Sequence, residues 1–157
     1  MKRVFTFFVL VSCVLSCSND DDRIDCALFD PAFPLLILKF VDENGDNLIE
    51  NGTILPDDIS ATGNFTGAGF RFIPPSMAIQ PLPFDNTISL SIASMESFQY
   101  TISLKDQQPI SIDFGAEKVN IQCNISYYIP VNANSNGNDL NIDQSNNSLD
   151  FLVEISL

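Results

Sequence analysis

Histidine and tryptophan are absent from this chain, and cations are scarce. Seven lysines and arginines stand against twenty aspartates and glutamates, for a net charge of −13. Without histidine, Ser-His-Asp and Cys-His catalysis are excluded, and zinc loses its commonest nitrogen ligand. An enzyme built from this chain would have to use carboxylates, lysines or tyrosines. The acidic balance repels phosphate backbones and anionic headgroups, so nucleic acid is excluded as a partner. No apolar run is long enough to span a bilayer as a helix, which takes about twenty residues. No stretch outside the first residues shows a helical period of 3.6, and there is no internal repeat. The glycine-rich "GNFTGAG" lacks the lysine and the helix that a phosphate-cradling loop requires.

What is present begins with an address. Lys2 and Arg3 precede "VFTFFVLVSCVL", Val4 to Leu15, almost wholly apolar. A basic start, a short apolar core and a small residue before a cut make a secretory signal. The chain then turns abruptly polar in "SCSNDDD". A helix continuing through that segment would carry carboxylates into an apolar interior, which is prohibitive.

Val14-Leu15-Ser16-Cys17 resembles the lipobox of bacterial lipoproteins. That resemblance implies a diacylglycerol on the Cys17 thiol, cleavage before Cys17 and an acylated new N-terminus. Two or more acyl chains give stable anchoring where one does not. Leu10-Val11-Ser12-Cys13 is a competing box; it leaves a shorter apolar core, and Cys17 is preferred. "CSNDDD" resembles the acidic tether of surface-exposed lipoproteins of the Bacteroidetes group. This implies a location on the outer membrane, facing the cell exterior. A solvated, self-repelling linker is the plainer reading of the same aspartates. The expected organisation is a signal peptide over 1–16, a lipidated acidic tether over 17–30 and a β-domain over 31–157.

Removal of the leader leaves about 140 residues, enough for one domain with a substantial core. Lys2 and Arg3 go with the leader, so the mature chain is more acidic still. Of four cysteines, Cys13 leaves with the leader and Cys17 takes lipid. Cys26 and Cys123 remain, an even pair in an oxidising compartment, and are expected to form a disulfide. A metal site at these two sulfurs is disfavoured, since zinc would lack ligands. No cofactor is implied.

The body reads as strand, turn, strand. "LLILKFVD", Leu35 to Asp42, is apolar on both faces, as in a central buried strand. Asn44-Gly45 signals a hairpin, with a short return at Leu48-Ile49. Period-two alternation marks Ile88, Leu90 and Ile92, and Phe98, Tyr100, Ile102 and Leu104. These two runs are expected to pair as a hairpin through Met95 and Glu96. "PISIDF" aligns Ile110, Ile112 and Phe114. The longest run, Glu117 to Ile129, sets Val119, Ile121, Cys123, Ile125, Tyr127 and Ile129 on one face and leaves Tyr128 on the polar one. "DFLVEISL" aligns Phe151, Val153, Ile155 and Leu157. Weaker strands lie near Ile59 and in "GFRFI". The proline-rich "IPPSMAIQPLP" and the asparagine-rich segment 132–147 read as loops, the latter with a short strand at Leu140 to Ile142.

Seven to nine antiparallel strands with this punctuation predict an all-β sandwich. "LLILKFVDENGDNLI" is similar to the opening hairpin of transthyretin-like and related immunoglobulin-like extracellular modules. That similarity implies an accessory, non-catalytic role.

Four candidate chemistries compete with plainer roles. Asp42, Asn44 and Asp46 have the 1-3-5 spacing of a calcium loop, but Asn47 stands where an EF-hand requires glycine and Thr53 where it requires glutamate. An ordinary polar turn is the better reading. Glycoside hydrolysis needs two facing carboxylates. Asp57 and Asp58 are adjacent, and Asp113 and Glu117 flank Gly115, so neither pair is specific. Tyr128 is a thin platform for stacking a sugar. Four Asn-X-Ser/Thr sequons, at Asn51, Asn64, Asn124 and Asn146, carry meaning only in a host that glycosylates them. The sequence therefore predicts a non-catalytic surface lipoprotein that binds or supports an envelope protein or a glycan. Recognition would fall on the loops Phe72 to Asn86 and Asn132 to Asn147.

Overall fold

The computed structural model describes residues 25–78, 82–105 and 107–157; the expected leader, both candidate lipoboxes and Asp20–Asp22 of the expected tether lie outside them. The chain divides into two units, 1–30 and 31–157. In the first, Asp25 makes a local turn: its carboxylate accepts from the Ala27 N–H and its carbonyl from the Leu28 N–H.

Among the described residues, the regular structure of the second unit is strand apart from two single-turn 3-10 segments. It runs β1 (Leu35–Val41), β2 (Ile59–Gly63), β3 (Phe70–Ile73), β4 (Thr87–Leu90), β5 (Ser97–Leu104), β6 (Ile110–Asn120), β7 (Ser126–Ser135), β8 (Asn138–Leu140), β9 (Ile142–Asp143) and β10 (Asp150–Ser156). These form two five-stranded sheets, β3-β4-β1-β10-β9 and β2-β5-β6-β7-β8. Pairing is antiparallel except for β1 with β10, which run parallel from Leu35↔Asp150 to Val41↔Ser156. No ladder among the described residues joins the two sheets.

Alternation explains the core. Leu36, Leu38 and Phe40 from β1 and Phe151, Val153 and Ile155 from β10 share one cluster with Phe98, Tyr100, Ile102, Ile112 and Phe114 from the other sheet. Burying each such side chain contributes about 1.5–3 kcal/mol. Phe98 and Phe114 are cross-strand partners and stack at 5.1 Å, while Phe65 meets Phe98 and Tyr100 edge-on. β1 is central, as its two-faced apolarity predicts: Ile37 is also fully buried, although it lies outside that cluster.

Four expectations fail for identifiable reasons. First, the Glu117–Ile129 run is not one strand. β6 continues from Ile110 through Gly115 to Asn120, and the chain reverses over Ile121–Ile125. Cys123 and Asn124 adopt positive φ there, at 62° and 58°, so Cys123 sits in a turn and not in an inward strand set. Second, the reversal inverts the faces beyond it. Tyr128 pairs with Lys118, in step with the Ala116↔Pro130 pair, and packs against the core. A bulge near Gly115/Ala116 then shifts the register again, leaving Val131 exposed.

Third, β4 and β5 are not a hairpin. They belong to different sheets, and Ser91–Glu96 carries the chain across. Fourth, much of 132–147 is strand. Asn136 and Gly137, both at positive φ, form a two-residue turn between β7 and β8. This is the Asn-Gly hairpin signal, hidden in the sequence by flanking asparagines. A single residue, Asn141, then separates β8 from β9 in the other sheet.

The connections beyond the Val41 end of β1 are tied by Asn47, a buried amide. Its Oδ1 accepts from the Ile49 N–H, and its Nδ2 donates to the Asn86 carbonyl at 3.1 Å. Asn47→Ala leaves buried groups without partners and is expected to cost about 1–3 kcal/mol, read as a lower urea midpoint at unchanged m-value.

Candidate functional site

Three clefts meet at the Leu35 end of β1. There the segment Pro31–Pro34 leads into the strand, and the β2–β3 and β4–β5 connections and the β6–β7 turn meet. One cleft, about 790 Å³, lies between Gly63–Gly67 and Ser91–Met95. A second of about 270 Å³ is walled by Phe33, Pro34, Ile92–Ser94 and Ser126–Tyr128. A third, about 400 Å³, runs from Pro34 and Leu35 past Arg71 to Ile92. All three share Ile92, and no acidic side chain lines any of them.

The walls are held from within the core. The Tyr100 hydroxyl, on a fully buried ring, accepts from the Gly69 N–H at 3.2 Å and donates to the Ser91 carbonyl at 2.9 Å. One phenol thus fixes the β2–β3 and β4–β5 connections together, and the Ser91 N–H closes the link onto the Gly69 carbonyl. Gly63 belongs to the same construction: a Cβ there would stand 2.7 Å from that of Ala68. Asn64 adds two bonds to the Gln99 backbone, donating from its N–H and accepting at Oδ1. Phe65, half-buried, links the aromatic cluster to the cleft wall.

Burial pushes the Tyr100 phenol above its ordinary value, against the opposing pull of its hydrogen bonds. The unfolded phenol therefore ionises first, and the folded state loses stability as pH rises beyond about 10. Tyr100→Phe is expected to destabilise by about 1–3 kcal/mol at neutral pH, because it strands the Gly69 N–H and the Ser91 carbonyl. It should also flatten the alkaline fall. Denaturant titrations of both proteins at pH 7 and 10.5 check both effects.

The residues singled out from the sequence are scattered. Tyr128 lines the second cleft, beside Tyr127, whose ring meets Phe33 edge-on at 6.0 Å. Asp42, Asn44 and Asp46 lie at the opposite end. There the Asp42 carboxylate accepts from the Asn44 and Asp46 N–H groups at 2.8 and 2.9 Å. Chiefly the Asp46 N–H, assisted by the Asn44 and Gly45 backbone and the Asn44 side chain, holds Asp42 below the usual carboxylate value. The stabilisation this gives is present above pH 4 and fades as acid protonates the group. Its oxygens are turn-makers, and no cluster of three metal-ligating side chains occurs among the described residues.

The weighed acid pairs do not converge. Asp58 pairs with Lys105 at 3.6 Å, and Asp113 accepts from the Gln99 amide. Asp113 and Glu117 lie at opposite sides of the bulge on β6, both exposed. Asp143 and Glu154 do share a small cleft of about 150 Å³, but Lys39 holds Glu154 at 3.0 Å. Cys26 and Cys123 are disulfide-bonded, as the sequence predicts.

Sequence reasoning missed Phe33, Phe65, Tyr127 and the Ser91–Met95 segment. The cue for the last was its small residues, "SIASM", too weakly alternating to extend a strand. Comparisons with protein-family models, with curated proteins and with solved structures return no match.

Proposed function

We propose that this chain is a lipid-anchored, surface-exposed bacterial lipoprotein whose body is a β-sandwich of immunoglobulin-like or transthyretin-like type. It works without catalysis, as a binding or structural accessory subunit of an outer-membrane assembly. The observation that carries the reading is the run Val14-Leu15-Ser16-Cys17, placed between an apolar segment and three aspartates. Two five-stranded sheets around one hydrophobic cluster, and a disulfide between Cys123 and Cys26 of the tether segment, suit an extracellular module. Recognition falls on the loops beyond the Val41 end, where residues 74–78 and 82–86 and the Asn136-Gly137 turn lie.

A second reading has its own support. Tyr127, Tyr128 and Phe33 wall one cleft, so a glycan stacked at the Leu35 end is the alternative ligand. Calcium at Asp42 has less, since backbone N–H groups already occupy that carboxylate.

Protease added to intact cells tests the placement, and crosslinking before extraction tests the role. The reading predicts digestion from outside and a crosslinked envelope protein. Full protection of the chain until the outer membrane is opened would reject the outward-facing location.

A further inference from the structure

Each sheet ends on two edge strands: β3 and β9 in one, β2 and β8 in the other. An open edge invites pairing with another chain, and proteins blunt it by shortness, charge or proline. β9 has two residues and carries Asp143; β8 has three and carries Asp139. β3 carries Arg71 and runs directly into Pro74-Pro75. β2 has none of these devices. Ile59-Ser60-Ala61-Thr62-Gly63 is five residues long, uncharged and free of proline.

Register decides which of its backbone groups are free. The Lys105 N–H donates to the Asp58 carbonyl, and the Asn64 N–H to the Gln99 carbonyl. Positions 58, 60, 62 and 64 therefore bond β5, and Ile59, Ala61 and Gly63 turn their backbone groups the other way. The Pro56 carbonyl takes the Ile59 N–H. The Ala61 N–H and carbonyl, the Gly63 N–H and the Ile59 carbonyl meet no partner among the described residues. Ala61 is half-buried, and Ser60 and Thr62 are exposed.

Alternating donors and acceptors along an extended strand match another extended backbone. We infer that β2 is a dimer edge, which pairs antiparallel with β2 of a second copy about a two-fold axis at Ala61. The segment is self-complementary in that register. The Ala61 residues of the two copies exchange both their bonds, and each Gly63 N–H donates to the Ile59 carbonyl of the other copy. Ser60 stands opposite Thr62, hydroxyl against hydroxyl. Asp58 stands opposite Asn64, so no like charges face each other. The two Asp58 side chains lie about 20 Å apart along the paired strands, well beyond the roughly 8 Å over which physiological salt screens charge. Each is also paired with its own Lys105. A two-fold, self-matching patch is the commonest way for one chain to associate with itself. The inference rests on the fold and is independent of lipidation.

The register supplies its own test. Ser60 of one copy and Thr62 of the other have Cα atoms about 4.5 Å apart, within disulfide reach, whereas neither reaches its own mate. Full-length Ser60→Cys and Thr62→Cys chains are made separately or together in one host and oxidised in its membranes. Glu117→Cys, exposed in the middle of the same sheet, is the collision control. The inference predicts that covalent dimer from the mixed pair exceeds that from either variant alone, and from the control, by about five-fold or more. Adding Ala61→Pro, which removes the outward N–H and no bond to β5, should return the mixed pair to the control level. The cysteine variants change exposed side chains only, so the result does not hang on whether the proline variant folds. Crosslinking at the control level, or equal in the single and mixed samples, overturns the inference. A crosslink from position 60 or 62 to a different membrane protein, with none between copies, overturns it in favour of a foreign strand at this edge.

Discussion

Serine at both Cys26 and Cys123 is expected to destabilise the oxidised protein by about 2–5 kcal/mol. The bond closes a loop of about 100 residues, for which chain entropy alone gives roughly 4.7 kcal/mol. Six of the ten strands, β1 to β6, lie inside that loop. Each single serine variant should lose about as much as the double one, because either removes the same crosslink. Reductant should lower the unfolding midpoint of the parent chain and leave the double variant unchanged. Equal midpoints for parent and double variant under oxidising conditions would mean that the crosslink does not constrain the unfolded chain.

Cys17→Ala is expected to abolish acylation. Radiolabelled fatty acid should fall to background in the variant, and the leader should remain on the chain, since cutting in the lipoprotein route follows lipid attachment. The loss is large because the anchoring energy resides in the chains: about 0.8 kcal/mol for each buried methylene, summed over at least two of them. Cys13→Ala should label and process as the parent does. If Cys13→Ala loses its label and Cys17→Ala keeps it, the upstream box is the true one. That outcome would also lengthen the tether by four residues.

Both predictions draw on features that the sequence displays locally. The cysteine pair could be assigned because the compartment and the count left no other partner. The strands legible in advance were Leu35–Val41, apolar on both faces, and Ser97–Leu104 and Asp150–Ser156, whose period-two pattern met no turn. The sequence pattern puts Tyr128 on the polar face because a regular alternation runs straight through Ile121–Ile125, where the backbone reverses at two residues of positive φ. Side-chain alternation cannot report that reversal when the turn is built from Cys123 and Asn124 in place of glycine. The β7–β8 turn carried its signal, Asn136-Gly137, but lay among so many asparagines that the segment read as loop.

The cleft at the Leu35 end was illegible for another reason. Its walls come from connections far apart in the chain, brought together by one buried phenol. The separation of β4 and β5 into different sheets decides that geometry, and pairing between sheets leaves no local pattern in either strand. The parallel match of β1 with β10 joins the opposite ends of the domain, again without a local trace.

Mass spectrometry of the protein isolated from its native membranes bears most directly on the central claim of a lipid anchor at residue 17. The account predicts an N-terminal peptide beginning at Cys17, with a diacylglyceryl thioether on the sulfur and an acyl group on the new amine. An unmodified Cys17, or a peptide that runs uncut through Ser16-Cys17, would contradict it.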